Sequence, residues 1–153
     1  MIQARMRNIV SVVPDTMKTL QAFSATGENL GVPTTTIHLI QLRASQINGC
    51  SFCVDMHAKI MKKGGETDER LFAVSAWRDT PYFTDAERAA LALTESVTRL
   101  SDREEPVSDE VWNDAATHYD ESGLAALIIA ISAINVWNRF NVSTRQIVGS
   151  WKL

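Results

Sequence analysis

The sequence predicts an all-α domain, a helical bundle of about six to eight helices in a single unit spanning residues 1–153. Three observations carry that expectation. Apolar residues recur at helical spacing in nearly every patterned segment. No stretch sustains the apolar–polar alternation of a sheet or offers a hairpin turn between two such stretches. Glycines, prolines and helix-capping residues punctuate the chain where short connections between helices need them.

Pro14-Asp15 opens the first helix, which runs to about Thr26 with Met17, Leu20 and Phe23 near one face. Gly27 and Gly31-Val32-Pro33 mark its exit. Thr34–Gln46 follows, with Ile37, Ile40 and Ala44 on one face and Leu39, Leu42 and Gln46 beside it, and stops at the turn dipeptide Asn48-Gly49. The next helix runs from about Cys50 to Lys63; Lys62-Lys63 suit the negative end of its dipole, and Gly64-Gly65 ends it. Thr67-Asp68-Glu69 starts a helix carrying Leu71, Phe72, Val74 and Trp77, closed by Asp79-Thr80-Pro81. Thr84 and Glu87 fit a capping box for a helix that carries Ala90, Leu91, Leu93, Thr94 and Val97 and stops near Ser101. Pro106 and Ser108-Asp109-Glu110 mark a further start, leading into Val111, Trp112 and Ala115. A last long helix spans about Glu121 to Asn138; it is apolar nearly all round and therefore central. In the tail, Ser143-Thr144-Arg145 is a candidate opening for a short helix. Trp77 and Trp112 sit in apolar helical patterns and read as core or interface.

A chain of 153 residues can bury a core as one domain. It is 45% hydrophobic and 22% charged with a net charge of −3, and it has no basic run, which argues against nucleic acid as a partner. The N-terminal apolar run, residues 9–13, is interrupted by Ser11 and too short for a signal peptide. The longest apolar stretch, residues 124–136, contains Ser132 and Asn135 and reads as too short to span a bilayer. No membrane is expected, and the expected compartment is the cytoplasm. There, vicinal cysteines are more often catalytic or metal-binding than structural.

Those cysteines are the chemical centre of the sequence. Cys50 and Cys53 form a C-x-x-C, the only cysteines in the chain, and His57 follows four residues later. Four residues is one helical turn, so the Cys53 thiol and the His57 imidazole share a face. Cys50 is expected in the first turn, where free backbone N–H groups and the dipole favour a thiolate. Two other readings compete with a redox-active dithiol. Two buried cysteines can be inert small hydrophobes. Cys50, Cys53 and His57 can supply three ligands to zinc, but a structural site takes four, and neither His38 nor His118 has a spacing that marks it as the fourth.

The stretch Arg43-Ala44-Ser45-Gln46-Ile47-Asn48-Gly49-Cys50-Ser51-Phe52-Cys53-Val54-Asp55-Met56-His57 resembles the core signature of the alkylhydroperoxidase D-like family, within the carboxymuconolactone decarboxylase superfamily. Residues 83–95 and 134–139 extend the likeness. The resemblance implies an all-helical fold, assembly into homo-oligomers (typically trimers or hexamers), and peroxidase chemistry that consumes a peroxide substrate. It implies that Cys53 attacks the peroxide, Cys50 resolves the product to a disulfide, and His57 assists proton transfer. Thiolate control points the same way, because Cys53 has the histidine beside it. The implied reductant is a lipoyl or thioredoxin-like dithiol protein, with no cofactor or metal. One position departs from the family: relatives usually carry a glutamate twelve residues before the first cysteine, where this chain has His38. A neutral imidazole there can replace the carboxylate as relay base, with turnover falling below about pH 6.5 as histidine protonates; the other reading of His38 is packing at the edge of the core. A decarboxylase-like enzyme of the same superfamily, or a redox-sensing disulfide-exchange protein, is the alternative function. Glu87 reads as a helix cap, Asp55 as an acid suited to its helix dipole, and Trp137-Asn138-Arg139 as structural or interfacial.

Overall fold

The computed structural model describes residues 2–102 and 104–149. Among these residues there are eight α-helices and no strand, in agreement with the sequence expectation. They are α1 (Ile9–Val12), α2 (Asp15–Ala25), α3 (Thr34–Ile47), α4 (Ser51–Lys63), α5 (Asp68–Ala73), α6 (Asp85–Thr98), α7 (Asp109–His118) and α8 (Glu121–Thr144).

Helix α3 is the hub. It packs against α4, α6 and α8 and contributes to all three apolar clusters. Ile40 joins Ala90 and Leu93 of α6, Ala115 of α7, and Leu127 and Ile131 of α8. Leu39 and Leu42, on an adjacent face, meet Met61, Val74, Trp77 and Leu91. Ala44, near its C-terminal end, packs with Cys50, Cys53 and Ile134. The cysteine pair is thus part of the core.

Three features depart from the sequence reading. Helix α1 is an unanticipated single turn, capped by Asn8, whose side chain accepts from the Val10 N–H at 3.1 Å. The helix expected from Thr67 breaks after Ala73 into a 3₁₀ segment, Val74–Asp79, with Ala76 outside helical geometry. That break brings Trp77 into the core with its indole N–H on Glu95 at 3.0 Å, so a tertiary contact overrides local propensity. Helix α8 continues past Asn138 to Thr144, and Ser143-Thr144-Arg145 closes a helix instead of opening one. At 24 residues, with one 18-residue window of mean hydropathy 1.5, α8 is by length and composition long and apolar enough to cross a membrane, because the helix runs well beyond the apolar stretch 124–136. Its burial fits a core helix: 56% of its most apolar window lies inside the fold. Residues 150–153 of the tail lie outside the described residues. Of the two tryptophans read as core or interface, Trp77 is buried and Trp112 is 42% exposed.

Candidate active site

The site forms where α3 turns into α4. Asn48 closes α3 as its C-cap, Gly49 takes a left-handed φ of +66° that a side chain would strain, and Cys50 caps α4. Cys50 therefore stands at the N-cap and not inside the first turn. Its Sγ accepts the Cys53 backbone N–H at 3.3 Å, the role an oxygen usually fills. Cys50 and Cys53 are joined as a disulfide with Cα atoms 5.4 Å apart, and both are 1% exposed.

A ladder of amides from α8 clamps this turn. Asn135, Asn138 and Asn141 recur every three residues and line one face, all of them buried. The Asn48 amide donates to the side-chain oxygens of Asn135 and Asn138, each at 2.9 Å. Asn138 donates to Ser45 Oγ at 3.0 Å, and Asn141 Nδ2 donates to Cys53 Sγ at 3.3 Å. Sequence reading assigned none of these roles; the signal available was three asparagines at a fixed step in an otherwise apolar helix. Asn138, read as structural or interfacial, proves to be structural. Arg139 is exposed and donates back to the Asn135 carbonyl at 3.0 Å.

His57 lies one turn beyond Cys53 on α4, 5% exposed, and neither ring nitrogen has a hydrogen-bond partner among the described residues. Burial, reinforced by repulsion from His38, pushes its pKa down to about 3. The His38 ring centroid is 5.8 Å from that of His57. Burial also pushes His38 below its ordinary value, partly offset by Gln41. His38 lines two cavities, one of about 390 Å³ with Ser24, Glu28, Ile37, Gln41 and Ala130, and one of about 350 Å³ with Thr35, Met61 and Glu66. The structure therefore brings Cys50, Cys53, His57 and His38 into one region, with His38 toward solvent. His118 lies elsewhere, exposed at the end of α7. Among the described residues, no group of three or more His, Cys, Asp and Glu side chains is placed to hold a metal ion.

A second polar centre braces α3 from the other side. Glu95 of α6 is buried and receives Arg43 Nε at 2.8 Å, Arg78 Nη1 at 2.6 Å and the Trp77 indole. Burial pushes its carboxyl up, but these donors outweigh burial and hold it below the usual range. Glu87 caps α6 as expected and also pairs with Arg70 at 2.6 Å. Asp55 pairs with Lys59 at 2.7 Å on the surface of α4.

The profile of the carboxymuconolactone decarboxylase family matches residues 14–96, more than half of the chain. The chain belongs to this family. Within the family it is 35% identical over 132 residues to the uncharacterized protein YdfG of Bacillus subtilis, covering 86% of this chain and 88% of that one. It is 36% identical over 104 residues to the uncharacterized protein YnjA of Escherichia coli, covering 67% of this chain and 55% of that one. The fold matches the crystal structure of a protein of unknown function from Agrobacterium tumefaciens, put forward as an antioxidant defence protein AhpD. That match has a TM-score of 0.88 at 33% identity, over 97% of this chain and 100% of the other. The AhpD-like resemblance read from residues 43–57 is thereby established for the fold and the family.

Proposed function

We propose that this family member is a thiol-dependent peroxidase. The observation that carries the reading is a Cys50–Cys53 pair bonded at the head of α4, one turn from a buried imidazole with no hydrogen-bond partner. Membership of an AhpD-like family supports it.

In the reduced protein, the Cys53 thiolate attacks one peroxide oxygen. An S–O bond forms, the O–O bond breaks, and the leaving alkoxide takes a proton delivered through His57 and His38 to become an alcohol. Cys50 then attacks the Cys53 sulfenic acid; the S–S bond forms and hydroxide leaves as water. The two thiols supply both electrons, so the reading assigns no cofactor. His38 acts as the relay base between His57 and the two cavities it lines, which are the proposed peroxide approach. A dithiol reductant protein, lipoyl or thioredoxin-like, reopens the disulfide through a mixed disulfide. The proposed setting is the cytoplasm, and the proposed assembly a homo-oligomer, trimer or hexamer.

The test is peroxide consumption by the purified protein with several dithiol donors, beside each cysteine variant. Cys50→Ser should still yield a sulfenic acid that a dimedone-type reagent traps, and Cys53→Ser should react far more slowly. Retention of most reactivity by Cys53→Ser would reverse the two roles. Survival of catalysis in the double cysteine variant would replace the peroxidase reading with a decarboxylase-like one.

A further inference from the structure

The disulfide has two unlike sides. Cys50 lines a cleft of about 190 Å³ with Gly49, Ser51, Asn141, Arg145 and Gln146; Cys53 does not line it. The far wall of this cleft is the end of α8. Arg145 stands there in left-handed geometry, φ 55° and ψ 55°. Its N–H donates to the Val142 carbonyl at 3.2 Å, and the Gln146 N–H donates to the Asn141 carbonyl at 2.9 Å. These two bonds make a Schellman closure, whose left-handed position normally holds glycine. An arginine in that position is uncommon. It sets an exposed guanidinium at the cleft, with no acidic partner among the described residues. Arg5 adds a second positive charge at the same helix end, its Nη1 donating to the Ser143 carbonyl at 3.0 Å. Among the described residues, no carboxylate lines the cleft.

Behind Cys50, the buried Asn141 amide donates to Cys53 Sγ. An amide N–H cannot protonate sulfur, but it stabilises a thiolate that forms there.

We propose that this cleft admits the reductant: it receives a thiol bearing a carboxylate, which attacks Cys50 while Cys53 departs as a thiolate held by Asn141. The inference rests on the redox reading above and adds to it the direction of attack and the charge of the donor. The incoming thiolate forms an S–S bond with Cys50 Sγ, and the Cys50–Cys53 bond breaks with its electron pair going to Cys53. A second thiolate from the donor then attacks the donor's own sulfur in the mixed disulfide, releasing Cys50 as a thiolate. The donor is oxidised to its disulfide, and the protein returns to the dithiol.

The experiment measures second-order rates of disulfide reduction by mercaptopropionate, mercaptoethanol and cysteamine, each normalised to its thiolate concentration. The proteins compared are wild type, Arg145→Gly, Arg145→Glu and Asn141→Ala. Glycine suits the backbone at 145, so Arg145→Gly removes the charge without straining the fold. The expected result is an approximately tenfold loss of rate for mercaptopropionate, relative to mercaptoethanol, in Arg145→Gly. Arg145→Glu should invert the preference toward cysteamine. Asn141→Ala should slow all three thiols alike and raise the Cys53 thiol pKa, read from thiolate absorbance in a Cys50→Ser background. Acid-quenched mixed disulfide from wild type should map to the Cys50 peptide. Unchanged charge preference in both Arg145 variants, or mixed disulfide on Cys53, overturns the cleft while leaving the redox reading standing. A disulfide that none of the thiols reduces overturns both.

Discussion

His57 is a titratable ring enclosed where water does not hydrate its charge, and this has a consequence for stability. Its folded-state pKa, near 3, lies below the unfolded value of 6.5. Between those values the unfolded chain binds the proton and the folded chain does not, so stability is full above about pH 6.5 and is lost as pH falls toward 3. The expected loss from this one residue between pH 7 and pH 5 is about 2 kcal/mol, and His57→Gln should abolish it. Urea denaturation of the two proteins at both pH values checks this; equal pH sensitivity would place the acid-labile group elsewhere. The same burial revises the expected pH profile of turnover. Sequence reading set the acid limb at about 6.5, the value of a free imidazole. With both imidazoles held below their ordinary values, the limb should fall below 6.5. His38→Ala should depress turnover with the fold intact, and a profile identical to wild type would reduce His38 to packing. The positions of Cys53 and His57 followed from their four-residue spacing. The environment of His57 did not, because whether a ring finds a partner is decided by side chains from distant helices.

Among the helices, α8 carries the most that the sequence left unread. Its apolar composition announced a central helix, and the sequence placed its end near Asn138, among polar residues. In the structure those residues are satisfied inside: Asn138 by Ser45 and Asn48, Asn141 by Cys53, Thr144 by the Phe140 carbonyl at 2.6 Å. A buried polar residue and an exposed one look alike in a sequence until its partner is known, which is why the end of α8 was misjudged and the start of α6 was not. The α6 start rests on Thr84 and Glu87, three residues apart, and such a local pattern needs no distant partner. The clamp has a measurable worth. Asn138→Ala leaves the buried Ser45 hydroxyl and the half-buried Asn48 amide each one partner short and should cost roughly 1–3 kcal/mol. Thermal or urea unfolding would show it, and a loss under about 0.3 kcal/mol would mean that the amide ladder is dispensable.

Over the whole molecule, the helical class was legible in the spacing of apolar residues, whereas the packing of α3 against three other helices was not read from it. Assembly was not visible in that spacing. The described surface leaves Phe72 79% exposed, Leu100 56% and Trp112 42%. If subunits associate as proposed, burying part of this surface should make the protein a closed oligomer at micromolar concentration. Multi-angle light scattering reads the mass directly, and a stable monomer at that concentration would refute the assembly.

The residues that clamp the cysteine turn lie nearly ninety positions downstream of it, as the separations of 87 and 90 residues between Asn48 and its two partners record. At synthesis rates of roughly 5–20 residues per second, that stretch takes on the order of five to twenty seconds to emerge from the ribosome. For that interval a nascent chain carries the C-x-x-C without its amide ladder and without the apolar helix that buries it. The dithiol matures only once the last helix has docked. A chain terminated before residue 135 would therefore hold both cysteines and still lack the environment that distinguishes them from any other exposed thiol pair.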